Sequence, residues 1–509
     1  MAFPVSDSLP SLAQTSKKML SLGHALATGL LCTLPLFNAA LSAAIPRQDD
    51  APPLSSIAIK LNQTSLQARS DLTGAQLIES LVLEAQASTN PSKRSPGIKV
   101  LPLITSITPS ELNAMVERAT TRDPTYKPVD FTTWYQVHLD TPATSLPSLL
   151  ASLNLNPEIT ACQTLLSTNL PSVPKPVNNP LYPSQGHLNP APEGINAAYA
   201  WTLPGGDGAG TSVIDVERGW CLEHEDLQSS NITLLAGMNV RDRYGGNLPH
   251  GTAVLGTLLM TDNSLGGIGI VPNTKGGVVG IQRTVDGGPR ENEPEAILDA
   301  ARFLEPGDVM LLEMQTTDDA GLLYPIEILD AQFDAIRLAT ALGIVVVEPA
   351  GNGDQGDVSA DLDEPFLRYG EDVWRDFLNP ESREFRDSGA IMVGAAGSGV
   401  PHRKMPWSNH GKRVDVFSWG ENILTSSVVP QDGDRQTYVG FAGTSGAAPI
   451  VAGAVLSVQG IRAAGGKPKL TPAEMRKVIK TGGTPSADLG DGIGVQPDLK
   501  AIIDGGLLS

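Results

Sequence analysis

The chain reads as an α/β protein built on a mainly parallel sheet with helices on both faces, preceded by a small α+β unit. Two patterns predict this. Beyond about residue 195, short continuous apolar runs ("GTSVIDV", "GGVVGI", "DVMLLEMQ", "GIVVVEPA", "AIMVGAA", "VDVFSW") alternate with longer stretches of helical spacing. Strands apolar on both faces belong to a buried parallel sheet, which needs crossover helices to cover its two sides. Between about 131 and 165 the pattern differs. "FTTWYQVHLD" alternates as a strand, "SLPSLLASLNL" has helical spacing and "PEITACQTLL" reads as a second strand, giving a β-α-β unit.

Taken in order, residues 1–44 read as a signal peptide. Lys17 and Lys18 precede the apolar "MLSLGHALATGLLCTLPLF", and the small residues "NAALSAA" follow. His24 and Pro35 interrupt the run, which argues against a permanent span; an uncleaved signal anchor is the alternative, because the stretch ahead of the run is long. No stable membrane span is expected after processing. Residues 45–128 are rich in Ser, Pro, Thr and Ala, with a helical stretch at "GAQLIESLVLEAQA". Lys93-Arg94 reads either as a dibasic processing point or as two solvated charges. The proline-rich "PSVPKPVNNPLYPSQGHLNPAPEG" cannot be helix and links the β-α-β unit to the main body. Helices are then expected at "GTAVLGTLLM", "EPEAILDAARF", "YPIEILDAQFDAIRLATAL", "GAAPIVAGAVLSVQGIRAAG" and "TPAEMRKVIKTG".

Composition narrows the function. A formal charge of −19 over 509 residues excludes the basic footprint that nucleic-acid binding requires. With 41% hydrophobic and 18% charged residues, the chain has enough apolar material for a packed core. Of its three cysteines, only Cys221 falls in the main domain, so that domain cannot close an internal disulfide.

Chemistry enters at three points of the main domain. Asp215 ends the strand "TSVID", His250 opens a helix in "LPHGTAVLG", and Ser445 opens another in "AGTSGAAP". A serine hydroxyl attacks only when a base takes its proton; imidazole is that base near neutral pH, and a carboxylate fixes its tautomer. Taken singly, each has an ordinary explanation, since a serine at a helix start is most often a cap. Together, the order Asp…His…Ser and the segments "SVIDVERGWCLEHEDL", "HGTAVLG" and "GTSGAAP" resemble the subtilisin-like serine proteases from about Leu181 to the C-terminus.

That resemblance implies Ser445 as nucleophile, His250 as general base and then acid, and Asp215 as its orienting partner. "EPAGNG" places Asn352 as side-chain donor to the oxyanion, beside the Ser445 backbone N–H at a helix N-terminus. It also implies that the β-α-β unit belongs to an inhibitory propeptide (residues 45–177), with the peptidase domain spanning 178–509. The expected partners are protein or peptide substrates and the chain's own propeptide, and the expected location is extracellular. No cofactor is required; calcium is common in the family, but no complete oxygen-ligand loop is legible.

Two departures stand out. The family's aspartate segment usually continues D-T/S-G, whereas here it is "DVERGW"; and "LLEMQTT" replaces the usual substrate-binding strand. Residues 354–387 hold eleven acids against four arginines, which reads as a surface excursion or as a lid that, with Glu348, favours basic substrates. His224 and Asp226 read as surface or loop residues, His402 and His410 as non-catalytic, and Cys221 as a packed thiol. A non-enzymatic scaffold is disfavoured by the complete set of residues. An α/β-hydrolase esterase is disfavoured by the order and by the missing second glycine of a G-x-S-x-G elbow.

Overall fold

The computed structural model describes residues 55–64, 72–89, 98–139, 146–165, 181–240, 247–285, 288–429 and 434–508. The expected signal peptide, the Lys93-Arg94 pair and most of the proline-rich linker lie outside the described residues.

The N-terminal unit is larger than the β-α-β expected from sequence. Its elements run β1 (Ser55–Leu61), α1 (Gly74–Thr89), β2 (Lys99–Pro102), α2 (Pro109–Arg122), β3 (Trp134–Leu139), α3 (Leu146–Asn154) and β4 (Ile159–Leu165). The strands lie in the order β2-β3-β1-β4, with neighbours antiparallel, so β1 is inserted between the two strands of the expected unit. This is the split β-α-β arrangement of a ferredoxin-like sheet, with α2 added between β2 and β3. Ile57, Ile59, Val137 and Leu139 pack one face of the sheet under Leu77, Ile78 and Leu81 of α1 and Leu149, Leu150 and Leu153 of α3.

The other face of that sheet meets the main domain. There, nine strands form one sheet: β5 (Ser212–Glu217), β6 (Thr233–Ala236), β7 (Lys275–Gly280), β8 (Val309–Leu312), β9 (Val345–Pro349), β10 (Ile391–Ala396), β11 (Val416–Trp419), β12 (Gly483–Pro485) and β13 (Val495–Pro497). Their spatial order is β12-β13-β11-β10-β9-β8-β5-β7-β6, and every pairing is parallel except that of β12 with β13. All six strands expected from sequence are in it. The three it adds are short strands at the two ends of the sheet, where apolar runs are weakest.

Helices α4 (Asn247–Leu259) and α7 (Thr444–Ala464) cover one face; α5 (Glu293–Phe303) and α6 (Asp330–Ala341) cover the other. Helices α8 (Pro472–Thr481) and α9 (Leu499–Asp504) close the C-terminal edge. Helix α7 is long and apolar enough to cross a membrane, but 78% of its apolar window is buried, so it is the central core helix. Gly453 lets it approach closely: a Cβ there would stand 2.7 Å from Ile270 Cγ2.

The two units interlock at helix starts. Glu295, in the first turn of α5, accepts from Thr105 N, Thr105 Oγ1 and Ser106 N at 2.9, 2.7 and 2.5 Å. Helix α6 has no side-chain cap of its own. Gln163 of β4 supplies one, its Oε1 accepting from Asp330 N and Ala331 N at 2.5 and 3.2 Å. Each contact satisfies backbone donors that a helix or turn would otherwise leave bare.

Candidate active site

The site lies at the carboxyl ends of β5, β8 and β9, where loops of a parallel sheet gather ligands. Ser445 sits in the first turn of α7, after Gly443 at φ 103°, a conformation that suits glycine. The serine is 2% exposed, with its backbone N–H at the positive end of a 21-residue helix. Asn352 follows β9. Its Oδ1 accepts from Thr444 N and Thr444 Oγ1 at 2.9 and 2.7 Å. With the amide oxygen pinned to the residue before Ser445, the NH2 end is left to donate.

His250 is fully buried in the first turn of α4, its ring edge-on to Phe441 at 5.3 Å. Its Nδ1 lies 2.9 Å from Glu217 Oε2. This corrects the sequence-based expectation: the residue bonded to the imidazole is Glu217, not Asp215. The physical reason is strand parity. Residues two apart on β5 share a face, so both carboxyls point into the site, and Glu217 lies next to the imidazole. Asp215 instead accepts from Trp220 Nε1 at 2.7 Å and lies beside Glu217, each carboxyl acting on the ionisation of the other. Two buried carboxyls side by side do not both ionise, so the pair holds one proton. Asp215 Oδ1 and Glu217 Oε1 are buried without a hydrogen-bond partner among the described residues.

A third carboxyl completes the cluster. Glu313, one residue beyond β8, is 1% exposed, and neither Oε atom has a hydrogen-bond partner among the described residues. Burial, with Asp215 and Glu217 nearby, pushes its carboxyl well above the usual range. Burial and the charge of Glu217 do the same to Asp215, and burial raises Glu217. Burial also lowers His250 to about 4, partly opposed by Asp215, so the imidazole is a neutral proton acceptor above that pH. Where one carboxyl ionises, it is Glu217, which has the Asp215 proton, the imidazole and the charge of Arg218 to support it.

The other candidates have structural roles. His224 is buried rather than superficial; its Nε2 lies 3.0 Å from Thr437 O, and its Nδ1 accepts from Asp226 N. Asp226 accepts from Gly267 N and Tyr438 Oη. His402 bridges Gly397 O and Pro192 O, and the buried Cys221 donates from Sγ to Glu223 Oε2 at 3.8 Å. Glu348 is fully buried 3.6 Å from Arg413, so it cannot meet a substrate. The acidic stretch 354–387 is tied down by its own arginines: Arg368 and Arg386 both bind Asp330 at the start of α6. Among the described residues no three His, Cys, Asp or Glu side chains are arranged to hold a metal.

Fold and site together define a serine peptidase of the subtilisin-like type. The subtilase family model (Peptidase_S8) matches residues 224–493, a span that contains His250, Asn352 and Ser445 but starts beyond Asp215 and Glu217. The intracellular serine protease of Paenibacillus polymyxa is 27% identical over 322 residues, 60% of this chain and 85% of that protein. The major intracellular serine protease of Bacillus subtilis (strain 168) is 26% identical over 299 residues, 57% of this chain and 81% of that one. Fervidolysin from Fervidobacterium pennivorans, a keratinolytic enzyme related to subtilisin, superposes with a TM-score of 0.53 at 17% identity, over 90% of this chain and 62% of that one. The chain belongs to the subtilase family and is a serine protease.

Proposed function

We propose that the protein is a secreted endopeptidase, made as a self-processing zymogen, that cleaves peptide bonds through an acyl-enzyme on Ser445. His250 takes the Ser445 proton at Nε2 and later gives it to the leaving amine. Glu217 holds the imidazole by Nδ1 and stabilises its cation; Asp215 holds Glu217 in turn through the shared proton. Asn352 and the Ser445 N–H receive the oxyanion. Water then attacks the acyl-enzyme with His250 again as base.

The single observation that carries this reading is the Glu217–His250 contact, buried in one pocket with an asparagine anchored at Thr444 beside the serine. The ferredoxin-like unit supports the zymogen half of the reading, since it caps the start of α6 through Gln163 and docks its Thr105 and Ser106 donors on Glu295 of α5. Residues 1–44 carry the secretion half. Two relatives are named as intracellular, so location needs its own test: the protein is expected in the medium of its producing cells, shortened at the N-terminus.

A fluorophosphonate probe tests the chemistry. The mature protein should label at Ser445, and Ser445→Ala should not. Absence of label on the native protein, after removal of the N-terminal unit, would leave a scaffold that keeps the fold without the reaction.

A further inference from the structure

The reaction just described uses His250, Glu217, Asp215 and Asn352, and leaves one buried side chain in the pocket unused. We propose that the Glu313 carboxyl becomes a hydrogen-bond donor to Ser445 Oγ as the reaction proceeds, a further residue of the peptidase reaction. The inference rests on Ser445 being the nucleophile.

The position is fixed from two sides. Glu313 follows β8 in the middle of the sheet, its backbone N–H donating to Val216 O of β5 at 3.2 Å, so its side chain shares the pocket with those of Asp215 and Glu217. Ser445 on α7 lies close enough to act on the carboxyl, its hydroxyl favouring the ionised form against burial and the two neighbouring acids. Glu313 is not a spare surface acid, being 1% exposed, and among the described residues neither of its oxygens has a hydrogen-bond partner. The groups acting on it are Asp215 and Glu217 from β5 and Ser445 from α7. The nearby cation, Arg218, acts on Glu217 and His250 and is bonded to Glu291 at 2.5 Å.

Charge then decides the protonation state. Three carboxyls in one buried pocket cannot all ionise, because each further negative charge meets the others at short range in a medium of low polarisability. Glu217 is the one with compensation, so Glu313 keeps its proton and presents an O–H. That O–H has two uses beside a serine. It stabilises the negative charge that gathers on Oγ as the proton passes from Oγ to His250 Nε2 and the Oγ–C bond forms. It does so again when Oγ leaves the acyl-enzyme. Glu313 gives up no proton in either step; the carbonyl electron pair goes to the oxyanion facing Asn352. An ionised Glu313 would oppose the same charge, so kcat/KM should fall as pH rises through its ionisation.

The test is a pH profile of kcat/KM on an internally quenched peptide, using enzyme prepared from the full-length chain. Glu313→Gln keeps an N–H donor without a titrating proton. It should lose less than tenfold at neutral pH and lack the alkaline fall. Glu313→Ala removes the donor and should lose about ten- to a hundredfold. Thermal melts of both variants verify folding, and the near-isosteric glutamine carries the test where alanine does not fold. The proposal is overturned if a folded Glu313→Gln is as inactive as alanine, if it keeps the alkaline fall, or if alanine matches the native enzyme. Ser445→Ala in the same assay separates the two readings: activity surviving in that variant sinks the nucleophile assignment rather than the role of Glu313.

Discussion

Two buried clusters of acids lie at this sheet and are neutralised in opposite ways. At the carboxyl end of β9, Glu327, Glu348 and Asp415 surround Arg413, which is 0% exposed. The guanidinium reaches Glu327 at 2.7 and 2.9 Å and Asp415 at 3.3 Å. Asp415 is further bound by Arg476 and Lys480, each at 2.8 Å. Around Ser445, Asp215, Glu217 and Glu313 are as deeply buried with no lysine or arginine bonded to them among the described residues, so protons take the place of cations. The difference teaches how to tell structure from chemistry in a buried acid. A carboxyl closed by an arginine is finished as an interaction, while one held by a movable proton can still respond to a reaction.

Breaking the first cluster should cost folding. Arg413→Met leaves three buried acids without their central cation, and loss of one partner of a buried pair costs about 3–5 kcal/mol. Denaturant unfolding should show this, with KM of any folded fraction near the native value. A loss under 1 kcal/mol would mean that the acids there are also compensated by protons. Breaking the second cluster's surroundings should cost rate instead. Asn352→Ala should lower kcat by about 10²–10³, with little change in KM or melting temperature.

The acid side of the pH profile sharpens the contrast. Burial lowers His250 to about 4, so activity should hold through the mildly acidic range and fall only as pH drops through about 4. A midpoint near the ordinary histidine value would show that Glu217 supports the imidazolium more than burial opposes it.

The smallest effect concerns stability. Glu313 is raised in the folded state, so folding binds a proton there that the unfolded chain releases above its ordinary carboxyl range. The folded protein therefore loses stability as pH rises from that range toward the folded-state value. Glu313→Gln removes this dependence and should raise stability at alkaline pH by about 1 kcal/mol or more, with little change near pH 4. Equal melting curves at both pH values would contradict a raised carboxyl.

Much of this was legible in the sequence. The six central strands announce themselves because burial on both faces demands unbroken apolar runs, and the turns at His250 and Ser445 are marked by "HGT" and "GTSG". The N-terminal sheet was half legible: β1 is only seven residues, "SSIAIKL", within a Ser- and Pro-rich stretch, though its Ile57, Ile59 and Leu61 do alternate. Glu217 was hidden by Asp215, which already filled the expected role; the signal was a second acid two positions on in the same strand. Glu313 was visible as a charge ending the apolar run "DVMLL", a place where a carboxyl needs a reason. The cap that Gln163 gives α6 has no local signature, because donor and acceptor lie 167 residues apart. Glu348 misled for a similar reason: its partner Arg413 comes from a distant loop.

The most direct measurement compares Glu217→Gln with Asp215→Asn in one assay of kcat/KM, with Ser445→Ala as the floor. If the imidazole is held by Glu217, the glutamine variant should lose about 10³–10⁴-fold, as removal of a histidine-orienting carboxylate does. Asp215→Asn, whose amide can still donate to Glu217, should lose less than about a tenth as much. The reverse order, with Asp215→Asn near the floor and Glu217→Gln active, would contradict the account.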